Sequence, residues 1–261
     1  MNKAVLILGS GPSGMLAAHG ASQCGYEVTI LDKDPDKSRK TSGLFYLHDS
    51  CDLLIDSMII HQDILGAEGL SSEEIEQKYC SKVYGGKYCL EGLSISNLKS
   101  SVLGYNPTQA IERLWDLYGH RIVRQEVKSI FGAQRYSDGK IISTIPAPVF
   151  YPLERFESVQ VYVRIGESPK NEAFVFYSVS PNHSWYRTSG VFGTFTQEFA
   201  SLVDAESEYS LLEIVPVTKV IGGFSPPSSN RILFTGRYGA WKKKMLVSDV
   251  YYDVKRWLLN G

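Results

Sequence analysis

The stretch that decides the fold is AVLILGSGPSGMLAAHGASQCGYEVTILDKD, residues 4–34. A run of apolar residues leads into the turn GSGPSG, residues 9–14, an alanine-rich segment follows, and a second apolar run ends at Asp32. This order of patterns predicts a strand, a tight turn, a helix and a second strand.

The spacing of the glycines in this turn matches the needs of a bound dinucleotide. Gly9 permits the tight turn, Gly11 lets the backbone approach a pyrophosphate, and Gly14 lets the helix pack closely on the strand. The N-terminus of the helix then offers N–H groups and a positive dipole end to the phosphates. Asp32 ends the second strand, where a carboxylate can accept both ribose hydroxyls and disfavours a 2′-phosphate. We therefore predict bound FAD or NAD.

Composition and charge describe an ordinary globular chain. It has 261 residues, 43% of them hydrophobic and 21% charged, with a formal net charge of −1, so nucleic-acid binding is not indicated. No apolar stretch approaches the length of a membrane span, and the first predicted strand leaves no room for a cleaved signal, so we expect a cytoplasmic protein without membrane association. The four cysteines form no metal-like grouping with histidine, and we expect no metal site.

The remainder of the chain divides by pattern. Residues 46–99 carry helical patches such as SSEEIEQKYC, in which Ser72 is the expected N-cap. Asn106 and Gly119 should begin and end an amphipathic helix, which the strands of RIVRQEV and KIISTIP follow. The β-branched and aromatic runs of residues 155–215 predict an antiparallel meander. The last segment reads as a strand, a Gly-Arg turn and a terminal helix.

These segments resemble a known family. The glycine fingerprint, the pair RIVRQEV and IISTIPAP, and the terminal ILFTGRYGAWKKKMLVSDV occur in the order found in FAD proteins of the glutathione-reductase-like superfamily. Within it, the chain is most similar to UDP-galactopyranose mutase, protoporphyrinogen oxidase and the flavin amine oxidases. The resemblance implies an α/β protein with a Rossmann-like, discontinuous FAD-binding domain and a small substrate domain of antiparallel sheet and helices. The expected ranges are 1–45, 100–150 and 216–261 for the FAD-binding domain, and 46–99 and 151–215 for the substrate region.

The resemblance also implies where the cofactor contacts lie. Gly236 and Arg237 would lie beside the cofactor, Met245 and Leu246 would offer backbone N–H groups near the flavin, and the backbone of Val127 would contact adenine. NAD proteins need no such terminal element, so the resemblance favours FAD. With the fingerprint region, the predicted cofactor-binding residues are Gly9, Ser10, Gly11, Pro12, Ser13, Gly14, Asp32, Lys33, Gly43, Val127, Gly236, Arg237, Met245 and Leu246.

Three residues are candidates for catalysis. His48, in LFYLHDS, follows a region that passes near the isoalloxazine in related flavoproteins, and it would act as an acid/base or as a hydrogen-bond partner. Arg187, in HSWYRTSG, would hold a carboxylate or phosphate through its planar fork, with Tyr186 pointing to the opposite face of the strand. Tyr238 follows the Gly-Arg turn and would form a wall of the flavin pocket.

The leading hypothesis is an FAD-dependent oxidoreductase that acts on a C–N or C–H bond of a small polar substrate. It is amine-oxidase-like, and tailoring an amino group on a modified nucleoside is one version of it. Two alternatives stay open at this point: a redox-neutral sugar-nucleotide isomerase similar to UDP-galactopyranose mutase, and a non-catalytic flavin-binding subunit. The expected partner is a small-molecule or nucleoside-linked substrate, and the sequence does not indicate which oligomeric state the protein adopts.

Overall fold

The structure is a computed structural model that describes residues 3–37, 44–85, 95, 97–136, 139–207 and 212–260. Its strands are β1 (Ala4–Leu8), β2 (Glu27–Asp32), β3 (Ser57–Leu65), β4 (Ser101–Tyr105), β5 (Ile122–Arg124), β6 (Lys140–Ser143), β7 (Phe156–Glu167), β8 (Ala173–Ser178), β9 (Trp185–Val191), β10 (Thr194–Phe199), β11 (Glu213–Gly223) and β12 (Ile232–Phe234). Its helices are α1 (Pro12–Gln23), α2 (Ser72–Tyr84), α3 (Pro107–Tyr118), α4 (Ile130–Ala133), α5 (Leu202–Ser207) and α6 (Asp249–Asn260), with short 3-10 turns at Gly119–Arg121 and Ala147–Val149.

Five strands from three separate parts of the chain form one parallel sheet. Their order is β12-β6-β1-β2-β5, and every pairing between neighbours is parallel. Both faces of this sheet are covered, because Val5 and Ile7 of β1 face one hydrophobic cluster while Leu6 and Leu8 face another. Helices α1, α3 and α6 pack together on the first of these faces. This is the Rossmann-like, discontinuous sheet that the sequence predicts.

The other seven strands form a second, mainly antiparallel sheet in the order β11-β7-β10-β9-β8-β3-β4. The prediction of an α/β fold with a second, mainly antiparallel layer is therefore confirmed. The predicted meander is correct for β8, β9 and β10, but β7 pairs with β10 and β11 rather than with β8. The sequence pattern of residues 46–99 predicts helical patches and does not indicate strand β3. It forms because β4 and β8, which are distant in sequence, flank it.

The domain ranges themselves remain a prediction. Strand β4 and most of β11 fall in ranges assigned to the FAD-binding domain, yet both hydrogen-bond within the seven-stranded sheet.

Capping residues fix the ends of two helices. Asn106 caps α3 as predicted, because its side chain accepts hydrogen bonds from the N–H groups of Thr108 and Gln109. The cap of α2 is Ser71 rather than the predicted Ser72. The Ser71 hydroxyl accepts from the N–H of Glu74 at 3.3 Å, and the Glu74 carboxylate accepts from the N–H of Ser71 at 2.7 Å. This capping box places the start of α2 at Ser72.

Candidate active site

Two glycines of the fingerprint turn are required by the protein's own backbone. Gly9 has a φ of +96°, a left-handed conformation that residues with side chains rarely adopt. A Cβ on Gly14 would lie 1.8 Å from the carbonyl oxygen of Gly9. Both glycines therefore serve the strand–turn–helix geometry, whether or not a ligand is bound.

Gly11 is different, because nothing in the described protein requires a glycine there. Its φ of −67° is open to any residue, and no described atom beyond its two chain neighbours lies within 4 Å of the position that a Cβ would occupy. Gly11 lines the large cavity described below. A ligand lying against the turn would explain the missing side chain, since a Cβ would take up part of its space.

The N-terminus of α1 carries the features of an anion site. Gly11 is the N-cap residue, no described side chain caps the helix, and Pro12 stands at its first position. The first turn itself contains no acidic residue. Ser10, Pro12 and Ser13 line the same cavity as Gly11. The turn therefore presents backbone donors and positive potential to this cavity.

Asp32 is held by the fingerprint turn. One of its carboxylate oxygens accepts from the backbone N–H of Ser10 at 2.6 Å and from the Ser10 hydroxyl at 2.8 Å, and the other accepts from the N–H of Asp34 at 2.9 Å. The side chain is buried, and it is not among the described residues of the cavity wall. Its role toward a ribose remains a prediction, and any such hydroxyl would share this carboxylate with Ser10.

Three other predicted nucleotide contacts lie away from the cavity or outside the description. Lys33 is exposed, and its carbonyl accepts a hydrogen bond from Arg124. Val127 is buried in the cluster that covers Leu6 and Leu8. Gly43 lies outside the described residues. The structure brings neither Lys33 nor Val127 to the described cavity wall.

The terminal Gly-Arg turn meets the fingerprint turn directly. Gly236 has a φ of +78°, and a Cβ there would lie 2.9 Å from the Ser13 hydroxyl oxygen. Arg237 lines the cavity, and its Nε donates to the carbonyl of Met245 at 3.3 Å. Burial lowers the pKa of Arg237 from its ordinary value. Two segments from opposite ends of the sequence thus form one side of the site.

The backbone N–H groups expected at Met245 and Leu246 are already used. The Met245 N–H donates to the carbonyl of Lys242, and the Leu246 N–H donates to the Asp249 carboxylate at 2.7 Å. The reason is that α6 begins at Asp249 rather than at these residues, so the Asp249 carboxylate accepts a hydrogen bond from the loop before the helix. A contact of these two N–H groups with a flavin therefore remains a prediction, and Leu246 lines the cavity.

A cavity of about 980 Å³ brings the two sheets into one site. Its walls include the fingerprint turn, the Gly-Arg turn and the near face of the seven-stranded sheet. All three predicted catalytic residues line it: His48, Arg187 and Tyr238. Four further tyrosines line it: Tyr46, Tyr79, Tyr84 and Tyr177.

His48 and Tyr238 stand in different environments. The ring of His48 lies 4.7 Å from that of Tyr46, and partial removal from water, opposed by Asp249, lowers the pKa of His48 from its ordinary value. The Tyr238 hydroxyl donates to the carbonyl of Thr218 at 2.6 Å. The lowered pKa favours the neutral form of the His48 imidazole, whereas the Tyr238 hydroxyl is hydrogen-bonded to β11.

Arg187 belongs to a charged cluster with Glu198 and Lys219 that sequence analysis missed. The Glu198 carboxylate accepts a hydrogen bond from Arg187 on one oxygen and from Lys219, at 2.8 Å, on the other. Burial raises the pKa of the Glu198 carboxyl, but the two cations outweigh it and bring this pKa to about 2. The sequence did contain one signal for this cluster. Glu198 is the single acidic residue in TFTQEF, and a buried carboxylate on a strand requires a basic partner on another strand.

The described residues show neither a metal centre nor a membrane span. No group of three or more His, Cys, Asp or Glu side chains among them is placed to hold a metal ion. No helix in the described ranges is both long and apolar enough to cross a membrane.

Comparison with known proteins finds similar structures but no similar sequence. The sequence matches no protein-family model and no curated protein. Among solved structures, PF1083 from Pyrococcus furiosus is similar with a TM-score of 0.56 at 13% identity, over 98% of this chain and 97% of PF1083. CtdE, determined in complex with FAD, gives a TM-score of 0.50 at 10% identity, over 98% of this chain and 83% of CtdE.

A third similar structure is MibH, a lathipeptide tryptophan 5-halogenase. It gives a TM-score of 0.55 at 9% identity and covers 97% of this chain. The chain spans 66% of the length of MibH, and 59% of the peptidyl tryptophan dihydroxylase QhpG, which it matches with a TM-score of 0.44. At such identities the similarity establishes the fold alone, a fold shared with a protein determined with bound FAD.

Proposed function

We propose that the protein binds FAD in this cavity and is an FAD-dependent oxidoreductase acting on a C–N or C–H bond of a small polar substrate. The observation that carries the proposal is that one cavity joins a dinucleotide-type turn to the face of a second sheet. Its volume of about 980 Å³ lies at the upper end of the range for ligand sites, about 300–1,000 Å³. Such a volume suits a large cofactor.

The residues at the turn suit the pyrophosphate of FAD. The open space at Gly11 and the uncapped N-terminus of α1 would receive the phosphates, and Arg237 would add a cation near them. The fold shared with CtdE, which was determined with FAD, supports this assignment.

The protein's own residues would prepare the substrate. Bound FAD would supply a hydride acceptor, which no amino-acid side chain provides. Tyr46 and Tyr177 line the cavity and would exclude water from the reacting bond, which favours the neutral form of an amine. His48, with its lowered pKa, would take up the proton that the substrate releases.

The first test is retention of FAD by Gly11→Ala. Because the added Cβ would enter the space assigned to the pyrophosphate, we expect the dissociation constant for FAD to rise at least about tenfold. Gly222→Ala is the matched control, since its Cβ would meet only Glu157 at 3.7 Å and it lies on β11, outside the described cavity wall. Full FAD occupancy in Gly11→Ala, measured by visible absorbance against protein concentration, would show that the turn does not hold the cofactor.

The second test concerns the reaction. Oxidised holoprotein is mixed without oxygen with panels of amines, nucleosides and nucleotide sugars, and the visible flavin absorbance is followed. Bleaching by an amine or another C–H donor supports the oxidoreductase. A protein that holds FAD, bleaches with no compound in the panels and turns over no nucleotide sugar after reduction with dithionite would point to a non-catalytic flavin-binding subunit.

A second candidate, a redox-neutral sugar-nucleotide isomerase, is favoured by the number of cations in the cavity wall. Lys219, Lys243 and Lys244 line the cavity together with Arg187 and Arg237, and such a wall suits a substrate with several negative charges. This candidate requires turnover of a nucleotide sugar only after the protein has been reduced with dithionite. Turnover by the oxidised protein would exclude it.

A further inference from the structure

We propose that the charged cluster of Arg187, Glu198 and Lys219 binds a carboxylate group of the substrate. The proposal rests on the proposed function in that it names the class of molecule which the same cavity accepts. Arg187 and Lys219 would be its direct ligands, and Glu198 would be a positioning residue that holds both cations in the cavity wall.

The register of the sheet brings the three side chains together. Arg187 on β9 and Glu198 on β10 are directly paired in the antiparallel ladder, and Lys219 comes from β11, on the far side of β7. All three residues line the cavity. The Glu198 side chain is 2% exposed, against 21% for Arg187 and 17% for Lys219. The carboxylate is therefore behind the cations, and the cations are the accessible part of the cluster.

The charges of the cluster do not balance. Two cations share one carboxylate, which leaves one positive charge in a largely buried place. An uncompensated buried charge is costly unless a partner arrives. Asp36 is the only other carboxylate in the cavity wall as far as the chain is described, and it follows β2 at the nucleotide side. Counted over Arg187, Glu198 and Lys219 alone, the excess of one positive charge matches a monoanion, and on this count we assign a carboxylate. A phosphate would need further cations of the wall, such as Arg237, and the experiment below compares the two groups.

The cluster also contains a hydrogen-bond donor that has no acceptor among the described residues. Arg187 gives one guanidinium nitrogen to Glu198, while its Nε is shielded from water and has no acceptor among the described residues. The Arg187 guanidinium lies 4.3 Å from the ring of Phe45, and the Lys219 ammonium lies 4.6 Å from that of Tyr186. These aromatic contacts hold the two cations in place without using their N–H donors. An entering carboxylate would find fixed donors in a poorly hydrated site.

The protonation of Lys219 gives the site a pH dependence. Burial lowers the pKa of the Lys219 ammonium to about 8, with Arg187 and Arg237 adding to the effect and Glu198 opposing it. Neighbouring Tyr186 has its pKa raised well above the ordinary value by burial and stays neutral. Carboxylate binding should therefore be strongest below about pH 8 and weaken as Lys219 loses its proton.

The experiment compares carboxylates with their uncharged amides on the holoprotein. The probes are acetate and acetamide, benzoate and benzamide, and phenyl phosphate, with binding followed by perturbation of the flavin spectrum and by thermal shift. We expect benzoate to bind more tightly than benzamide and to lose at least about tenfold in affinity in Arg187→Gln and in Lys219→Gln. Lys170→Gln, which removes an exposed positive charge from outside the described cavity wall, should bind benzoate like the wild type.

Several outcomes would overturn the proposal. They are equal binding of every carboxylate and its amide, undiminished benzoate affinity in both variants, and tighter binding of phenyl phosphate than of benzoate. The last of these would assign a phosphate and support the isomerase candidate. Arg187→Lys covers the case in which Arg187→Gln does not fold, since it keeps the charge, loses the planar fork and should still weaken benzoate. If the protein binds no FAD, thermal shift on the cofactor-free protein still decides the carboxylate question.

Discussion

Replacing Glu198 by glutamine isolates the contribution of the buried charged cluster to stability. Glutamine has nearly the shape of a protonated glutamic acid and, like it, carries no charge. One accepting oxygen is replaced by an amide nitrogen, which donates and cannot accept from Arg187 or Lys219. In the folded protein this leaves Arg187 and Lys219 close together without the carboxylate that accepts from both. Removing one partner from a buried ion pair is strongly destabilising, because the remaining charge stays buried without compensation.

The magnitude follows from the pKa of Glu198. Burial raises it, but Arg187 and Lys219 outweigh burial and bring it from 4.5 to about 2, which corresponds to about 3 kcal/mol in favour of the ionised, folded form. Because the folded pKa lies below the unfolded one, this stabilisation is fully present above about pH 4.5 and is lost as the pH falls toward 2. Loss of a proton from Lys219 would relieve part of the repulsion in the variant.

Urea unfolding at a series of pH values measures this contribution. We expect Glu198→Gln to lower the free energy of unfolding by about 3 kcal/mol at pH 7, and the difference from the wild type to disappear toward pH 2. Glu157→Gln is the control, because Glu157 lies on β7 of the same sheet but pairs with the largely exposed Arg155 just before the strand, and it should contribute less than about 1 kcal/mol. If Glu198→Gln costs no more than Glu157→Gln at pH 7, the reasoning on the cluster is wrong.

Two further substitutions test individual hydrogen bonds. Tyr238→Phe removes the bond to the Thr218 carbonyl and should lower the free energy of unfolding by about 1 kcal/mol, measured by urea unfolding; a fall in kcat with stability unchanged would instead assign the hydroxyl to catalysis. Ser71→Ala removes the capping box that Ser71 forms with Glu74, and we expect a loss of about 1 kcal/mol by the same measurement. An unchanged stability would show that α2 does not depend on this cap.

The fingerprint turn and the elements next to it were predictable because their determinants are local. The left-handed φ of Gly9 and the contact between Gly14 and Gly9 arise within a few residues, so their spacing in the sequence already specifies the turn. The same holds for α3, where Asn106 caps the start and Gly119 follows the last residue. Short-range steric and capping requirements leave a direct trace in the sequence.

The seven-stranded sheet and its part of the cavity wall were predictable only in part, because their contacts form between strands far apart in the chain. Arg187 was recognised as a candidate, but its partners Glu198 and Lys219 depend on the order of strands β9, β10, β7 and β11. Strand β3 was missed for the same reason, since β4 and β8 supply its pairing. The hydrogen bond from the Leu246 N–H to the Asp249 carboxylate likewise depends on where α6 begins, which the sequence pattern did not specify.

Two hydrogen bonds from the segment after the Gly-Arg turn nevertheless hold this turn and strand β11, on the two sides of the cavity, in a fixed relation. Tyr238, directly after Arg237, donates to the carbonyl of Thr218, and the indole N–H of Trp241 donates to the carbonyl of Gly222 at 2.8 Å. Both acceptors lie on β11, the strand that carries Lys219. The terminal turn therefore connects the residue proposed to face the pyrophosphate with a residue proposed to face the substrate. Because both bonds go to backbone carbonyls, this alignment depends on the fold of β11 rather than on its side chains.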